Sequence, residues 1–130
     1  MAVKVVDSSA ISALVYEEPE ADQIDRIIDG HILIAPTLLR YELANVCLTK
    51  ARRHPVLRDR LWAAFGLVDG LAITLMTVKH GEVLELGHSY KLTAYDASYL
   101  WLADRSGAEL VTLDRRLAAA DAGLRARRLC

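Results

Sequence analysis

The sequence predicts an α/β domain in which a small parallel sheet of four or five strands lies between helices. Short apolar or β-branched runs alternate with helical patterns along the chain, which favours parallel strands joined by crossover helices. The run at residues 32–35 is apolar throughout, as is typical of a strand buried on both faces. With 130 residues and 53% hydrophobic content, residues 1–130 are interpreted as one well-packed domain.

Local patterns place the elements of this domain in order along the chain. β-branched residues favour strands, apolar spacing of three and four residues favours helices, and capping residues and glycines mark helix ends. The first half predicts a strand, two short helices, a strand and a long helix at residues 3–6, 10–14, 21–28, 32–35 and 38–52. The second half predicts a helix, a short strand, two helices, a strand, a helix and a last short strand at residues 56–68, 71–76, 78–92, 93–106, 109–113, 115–122 and 124–129.

Charge and cysteine content restrict the class of protein only weakly. Lys and Arg total 16 against 17 for Asp and Glu, and the net charge of -1 neither supports nor excludes a nucleic-acid partner. The two cysteines, Cys47 and Cys130, form no metal-binding spacing, so a reducing cytosol is the expected setting. With no targeting segment and no run of about 18 apolar residues, we expect a cytoplasmic protein that spans no membrane.

Four acids are placed so that the fold would bring them to one edge of the sheet. Asp7 and Asp114 each end a predicted strand, and the carboxyl ends of parallel strands share the edge where open α/β sheets bind ligands. Asp96 lies in the first turn of a predicted helix and Glu42 in the second turn of another, and such turns face the same edge. Singly, each acid also has a structural explanation, as a helix cap, part of a capping box after Thr93, or an ordinary exposed residue.

Taken together, four carboxylates at one edge would repel one another. Each close pair costs on the order of 4 kcal/mol at an effective dielectric constant of about 20. Such a cluster is typical of a cation site, and ligands that are all oxygen suit Mg²⁺ or Mn²⁺. Nearby polar side chains would orient the ligands, and they are Ser8 or Ser9, Asn45 and Thr112. If Asp7 binds the ion, we expect Ser8 and Ser9 to cap the first helix in its place.

The segments that carry these acids resemble the acidic motifs of PIN-domain nucleases. In order, they are Val5-Val6-Asp7-Ser8-Ser9, Tyr41-Glu42-Leu43-Ala44-Asn45, Tyr95-Asp96-Ala97-Ser98-Tyr99-Leu100 and Leu110-Val111-Thr112-Leu113-Asp114. No single segment is specific, but all four in this order over essentially the whole chain are quite specific. The chain length and near absence of insertions resemble the VapC-type toxins of bacterial and archaeal toxin–antitoxin pairs.

The resemblance implies a PIN-like three-layer fold and a metal-dependent endoribonuclease that is the toxin of such a pair. The reaction implied is hydrolysis of RNA phosphodiester bonds with Mg²⁺ or Mn²⁺ as cofactor. The catalytic and metal-binding acids would be Asp7, Glu42, Asp96 and Asp114, with Ser8 and Thr112 at accessory polar positions. The partners implied are a cognate VapB-type antitoxin and a second copy of the chain in a homodimer.

Two surfaces are secondary candidates for contacts with these partners. Arg115 and Arg116 directly follow the last acid and could grip RNA phosphates, in which case binding should weaken steeply with salt. Apolar residues of the first two helices could form an antitoxin groove, although core packing is favoured for most of them. These residues are Ile11, Leu14, Val15, Ile24 and Ile28.

Three other functions remain open alternatives at this point. A Mg²⁺-dependent phosphohydrolase acting on small phosphate esters through an aspartyl nucleophile typically needs a second acid two residues after the first, where this chain has Ser9. A receiver-like phospho-acceptor domain would need paired acids after the first strand and a lysine at the end of a later one. A degenerate domain that binds a partner without cutting would not need to retain four acids.

Overall fold

Strands and helices alternate along the chain in the computed structural model, which describes residues 2–129. The strands are β1 (Val3–Val6), β2 (Ile32–Pro36), β3 (Thr74–Met76) and β4 (Glu109–Val111). The α-helices are α1 (Ser8–Val15), α2 (Ala21–Ile28), α3 (Leu39–Arg53), α4 (Arg58–Gly66), α5 (His80–Tyr90), α6 (Ala94–Ser106) and α7 (Arg115–Arg128). Cys130 lies outside the described residues, and Cys47 is buried with a free thiol.

The four strands form one parallel sheet in the order β3-β2-β1-β4. Val5 of β1 pairs with Ile34 of β2 on one side and with Leu110 of β4 on the other. Val5 and Val6 are completely buried, as expected for an inner strand of a sheet that lies between helices. The predicted fold class, a small parallel sheet flanked by helices, is therefore confirmed.

Helix α6 forms the centre of the core, where it packs on β1, β2 and β4. Seven consecutive residues of this helix, Ala97 to Ala103, are buried, which explains its apolar sequence. The side chain of Thr93 caps its first turn. Gly107 ends it with a left-handed φ of 63°, which a residue without a Cβ adopts at little cost. Both ends agree with the sequence prediction because both depend on local cap chemistry.

The apolar residues of α1 and α2 belong to the core. Ile11 and Val15 of α1 and Ile24 and Ile28 of α2 are all buried within it, and Leu14 packs against it partly buried. Burial of these side chains confirms the core-packing interpretation and argues against an antitoxin groove built from them. In the described part of the chain, no helix is long and apolar enough to cross a membrane.

The predicted last strand at residues 124–129 is wrong. Helix α7 continues without interruption to Arg128, so the sheet formed by residues 2–129 has four strands. Arg125 bonds to Asp121 one turn earlier, and its guanidinium also donates to the Ala108 carbonyl at 2.7 Å. Ion pairs of the i, i+4 type support a helix that continues through Gly123.

Two other boundaries also differ from the prediction. The predicted helix at residues 56–68 consists of α4 flanked by two short 3₁₀ segments, Pro55–Leu57 and Leu67–Leu71. Strand β4 ends at Val111, so that Thr112 and Leu113 lie in the connection to α7. Because of this early end, the hydroxyl of Thr112 is free to turn toward β1.

Candidate active site

Asp7 lies where β1 meets α1, and its carboxylate is almost fully buried. Its backbone N–H continues the sheet by donating to the Val111 carbonyl at 3.3 Å. Its Oδ1 accepts hydrogen bonds from the Ala10 N–H at 3.0 Å and the Ser9 hydroxyl at 2.7 Å, and its Oδ2 accepts one from the Thr112 hydroxyl. Asp7 therefore caps α1 itself, and the expectation that Ser8 and Ser9 would replace it as the cap is wrong.

The hydroxyls of Ser9 and Thr112 join the ends of β1 and β4. Ser9 Oγ lies 3.3 Å from Thr112 Oγ1 and accepts a hydrogen bond from the Leu113 N–H at 2.9 Å. Thr112 Oγ1 in turn accepts from the Asp114 N–H at 3.0 Å. Asp7 and Asp114 are thus linked by a short chain of hydrogen bonds at the ends of the neighbouring parallel strands β1 and β4.

Asp114 caps α7 in the same manner as Asp7 caps α1. Its Oδ1 accepts hydrogen bonds from the N–H groups of Arg116 at 2.9 Å and Leu117 at 3.1 Å. The capping explanation was therefore right for both strand-end acids. Capping leaves Oδ2 of Asp114 outside these bonds, so it does not prevent the carboxylate from binding a ligand.

Glu42 and Asp96 lie in the first turns of α3 and α6 and are partly buried. Oε1 of Glu42 accepts a hydrogen bond from the Tyr99 hydroxyl at 2.6 Å. Asp96 donates its backbone N–H to Thr93 Oγ1 at 3.1 Å, so Thr93 supplies the cap of α6. Neither of these two carboxylates serves as the N-cap of its helix.

The charges of neighbouring acids act on Asp7, Glu42 and Asp96 at this edge of the sheet. Burial raises the pKa of Asp7, and the negative charge of Asp114 raises it further, against the hydrogen bonds from Thr112, Ala10 and Ser9. Burial likewise raises the pKa of Asp96, and the charges of Asp114 and Asp7 add to the effect. Ionising these carboxylates together is therefore costly without a positive charge near them.

The pKa of Glu42 is raised by the same causes. Burial has the largest effect, the hydrogen bond from Tyr99 opposes it, and the charges of Asp96 and Asp7 raise the pKa further. The Ser8 hydroxyl stabilises the ionised form of Glu42 and so lowers the pKa. Ser8 thus acts on a different acid from Ser9, whose hydroxyl donates to Asp7.

The remaining predicted residues are placed less uniformly. Arg116 lies close enough to Asp96 for its positive charge to lower the pKa of that acid. Arg115 is exposed at the start of α7. Asn45 is exposed on α3, and within residues 2–129 its side chain makes none of the hydrogen bonds to the four acids. Its proposed role in orienting ligands therefore has no contact to support it.

Tyr99 is the site residue that the sequence interpretation missed. It belongs to the buried face of α6, where an aromatic residue reads as ordinary core. One signal was available, because a buried tyrosine needs a hydrogen-bond partner for its hydroxyl. Tyr99 also follows Asp96 by three positions, which places the two side chains on neighbouring parts of one helix face.

The donor atoms at this edge are chemically suited to a hard divalent cation. The four carboxylates provide only oxygen ligands, which Mg²⁺ and Mn²⁺ prefer. Their mutual repulsion would be relieved by bound positive charge. Across residues 2–129, no three His, Cys, Asp or Glu side chains have the arrangement of a formed ion-binding cluster.

Comparison with known proteins gives a family to this fold and arrangement. The family model of the PIN domain matches residues 4–123 of this chain. Ribonuclease VapC3 from Pyrobaculum aerophilum is 35% identical over 126 aligned residues, which cover 88% of this chain and 91% of that protein. The crystal structure of PAE2754 from the same organism superposes with a TM-score of 0.75 at 28% identity, over 97% of this chain and 94% of that one. The chain belongs to the PIN-domain family.

Proposed function

We propose that this protein is a metal-dependent endoribonuclease and the toxin of a toxin–antitoxin pair. The observation that carries the proposal is the position of four acids on four separate elements: two follow the neighbouring parallel strands β1 and β4, and two lie in the first turns of α3 and α6. Membership of the PIN-domain family and the similarity to a protein named as a VapC ribonuclease support the same activity. One domain, residues 1–130, would carry it.

In this proposal Asp7, Glu42, Asp96 and Asp114 hold Mg²⁺ or Mn²⁺. When bound, the ion would make a water molecule more acidic and neutralise charge that develops on the phosphate. The protein would contribute the placement of its carboxylates. Thr112 and Ser9 fix both oxygens of Asp7, so its carboxylate enters the site in one orientation.

Arg116 is the strongest candidate for an RNA phosphate contact. Its charge already acts on Asp96, so a phosphate held by the acids through an ion would lie within its electrostatic range. Arg115 is exposed beside it and would add a weaker contact. These cations would attract a polyanion to an otherwise acidic edge.

The proposed partners follow from the same edge and from the family. An acidic site that cuts RNA could be blocked by a basic segment of a VapB-type antitoxin, because arginine pairs well with carboxylates. A homodimer is proposed from the resemblance to VapC-type toxins. The reducing cytosol stays the proposed setting, since Cys47 is a buried free thiol.

The structure gives Ser9 a role that bears on the alternative phosphohydrolase. Ser9 stands where an aspartyl phosphohydrolase would have its second acid, and its hydroxyl instead holds Oδ1 of Asp7. No observation favours the phosphohydrolase or the receiver-like function over the nuclease.

One cleavage assay tests this function. The purified protein is incubated with short RNA and DNA oligonucleotides in Mg²⁺, in Mn²⁺ or in EDTA. We expect RNA cleavage that depends on the divalent ion and is lost in Asp7→Asn and Asp96→Asn. Asp22→Asn is the matched control, because Asp22 is an exposed acid in the first turn of α2 and is not one of the four. Cleavage that persists in EDTA, or that survives both site substitutions, contradicts the proposal.

A further inference from the structure

Tyr99 joins the hydrophobic core to the acidic edge through a single hydrogen bond. It is among the largest completely buried side chains, with 1% of its surface exposed. Its hydroxyl donates to Oε1 of Glu42 at 2.6 Å, across 57 positions of sequence. A distance this short is typical of a hydrogen bond to an ionised carboxylate.

A second tyrosine shows how the same need is met without an acid. Tyr16, at the end of α1, donates its hydroxyl to the Leu43 carbonyl of α3 at 3.1 Å. The hydroxyl of Tyr16 is thus hydrogen-bonded to a backbone carbonyl, that of Leu43. The hydroxyl of Tyr99 is hydrogen-bonded to the carboxylate of the preceding residue, Glu42. A buried tyrosine hydroxyl does not need a carboxylate as its hydrogen-bond partner. Placing a carboxylate in a partly buried position costs desolvation energy.

The position of Tyr99 on α6 gives the bond a geometric consequence. Asp96 and Tyr99 are three residues apart on one rigid helix, so their relative positions are fixed. Glu42 comes from a different helix, α3. The bond between Tyr99 and Glu42 therefore sets the position of one acid of the site relative to another.

We infer that Tyr99 is a positioning residue that holds Glu42 by Oε1 and leaves Oε2 to bind the divalent cation. Tyr99 itself touches neither the ion nor the RNA. The inference rests on the proposed function, since it assumes that Glu42 is a ligand. It adds a residue that works through Glu42 and that connects metal affinity to the packing of α6.

The test is a double-mutant cycle on Mn²⁺ affinity. Tyr99→Phe keeps the ring and removes only the hydroxyl, and Glu42→Gln removes the charge. Mn²⁺ binding to the wild type, both single variants and the double variant is followed by electron paramagnetic resonance. We expect Tyr99→Phe to weaken Mn²⁺ binding about tenfold, as for other groups that orient a ligand, and to have no further effect when Glu42 is already Gln.

Tyr16→Phe is the matched control. It removes a tyrosine hydroxyl that also bonds to α3, beside Glu42 in sequence but to a backbone atom. We expect it to leave Mn²⁺ affinity unchanged, whatever its effect on melting temperature. Raising the Mn²⁺ concentration about tenfold should restore RNA cleavage by Tyr99→Phe, because a positioning defect lowers ion affinity and excess ion compensates for that.

The possible results separate this inference from the function on which it rests. If the wild type binds Mn²⁺ and cleaves RNA but Tyr99→Phe binds Mn²⁺ equally well, the inference is overturned and the nuclease proposal stands. Equal weakening in the Glu42→Gln background or in Tyr16→Phe also overturns it, since the effect would then be general. A wild type that binds no Mn²⁺ overturns the inference together with the metal-dependent function.

Discussion

The four acids of the candidate site lie at the same edge of the sheet, but the two strand-end acids also cap a helix and the two helix acids do not. Asp7 and Asp114 follow β1 and β4, and each accepts backbone N–H bonds as the N-cap of the next helix. Glu42 and Asp96 lie in the first turns of α3 and α6, and neither caps its helix. Thr93 caps α6, so the carboxylate of Asp96 makes no capping hydrogen bond.

Capping and ligation need not be competing explanations for one residue. A carboxylate has two oxygens and about four lone-pair sites, so it can cap a helix and still bind a ligand. Substitutions of the two pairs of acids should therefore differ in their effect on stability, because only one pair caps helices. They should have the same effect on catalysis, because all four acids are proposed to act together.

The largest expected effect is a loss of RNA cleavage that is alike in the two groups. Asp114→Asn and Glu42→Gln should each reduce the initial rate more than about 100-fold, since even groups that only orient a ligand contribute 10- to 100-fold. The rate is measured on one RNA oligonucleotide at saturating Mg²⁺. If only one group of acids proves necessary, the proposed four-carboxylate site is wrong.

The second effect is on stability and should separate the groups. Asp114→Ala removes the cap of α7 and should lower the free energy of unfolding by about 1 kcal/mol, or the melting temperature by about 4 °C. Asp96→Ala should leave stability unchanged or raise it in EDTA, because it relieves repulsion from Asp114 and Asp7. Urea unfolding measures the free energy of unfolding of both variants.

Asp114→Asn is the control for this comparison, because asparagine caps helices about as well as aspartate. It should retain most of the stability that Asp114→Ala loses. An equal loss in Asp96→Ala and Asp114→Ala would show that the two groups of acids do not differ in structural duty.

A smaller effect is the pH dependence of stability without metal. Burial raises the folded-state pKa of Asp7, Glu42 and Asp96 above the ordinary values of 3.8 for Asp and 4.5 for Glu. Above those ordinary values the folded protein holds more protons than the unfolded chain, so the contribution of these acids to stability falls as pH rises through the raised pKa values.

Thermal unfolding in EDTA across this pH range should therefore show stability decreasing toward neutral pH. The double variant Glu42→Gln with Asp96→Asn should make that decrease shallower, and Mg²⁺ should restore stability in the wild type at neutral pH by binding the folded state. A pH profile that is identical in the wild type and the double variant would contradict the assignment of the effect to these acids.

The smallest effect concerns Arg116 and the salt dependence of RNA binding. If Arg116 contacts one phosphate, Arg116→Gln should reduce the slope of log affinity against log salt concentration by about 1. Binding is measured in Ca²⁺ or with the Asp96→Asn protein, so that the RNA stays intact. Arg26→Gln, an exposed basic residue in the last turn of α2, is the control and should leave the slope unchanged.

The parts of the fold that depend on local signals were predictable from sequence. The transition from β1 through Asp7 to α1 and the end of α6 at Gly107 follow from caps and backbone preferences that act within a few residues. The continuation of α7 past Gly123 was not, because it depends on tertiary contacts. Arg125 bonds to the Ala108 carbonyl, 17 positions away, and no local pattern reports that.

Part of the candidate site was also predictable from sequence. The placement of Asp7 and Asp114 at one edge follows from the rule for parallel strands, and the structure couples their charges. The contact of Tyr99 with Glu42 joins two helices 57 positions apart, so only the packed structure shows it. Sequence also offered two explanations for Asp7 as rivals, and the hydrogen bond from the Ala10 N–H shows that the cap is present, while the metal-binding role stays a proposal.

The pairing of β1 with both β2 and β4 has a consequence for the order in which the chain becomes protected. β1 is the first strand in sequence, yet one of its two neighbours, β4, begins at Glu109. A chain that stops before Glu109 leaves one side of β1, including Val5 and Val6, as an open apolar edge, which is a template for aggregation. Forms truncated before β4 should therefore be insoluble or rapidly degraded, and the sheet can be completed only after residues 109–111 have been synthesised.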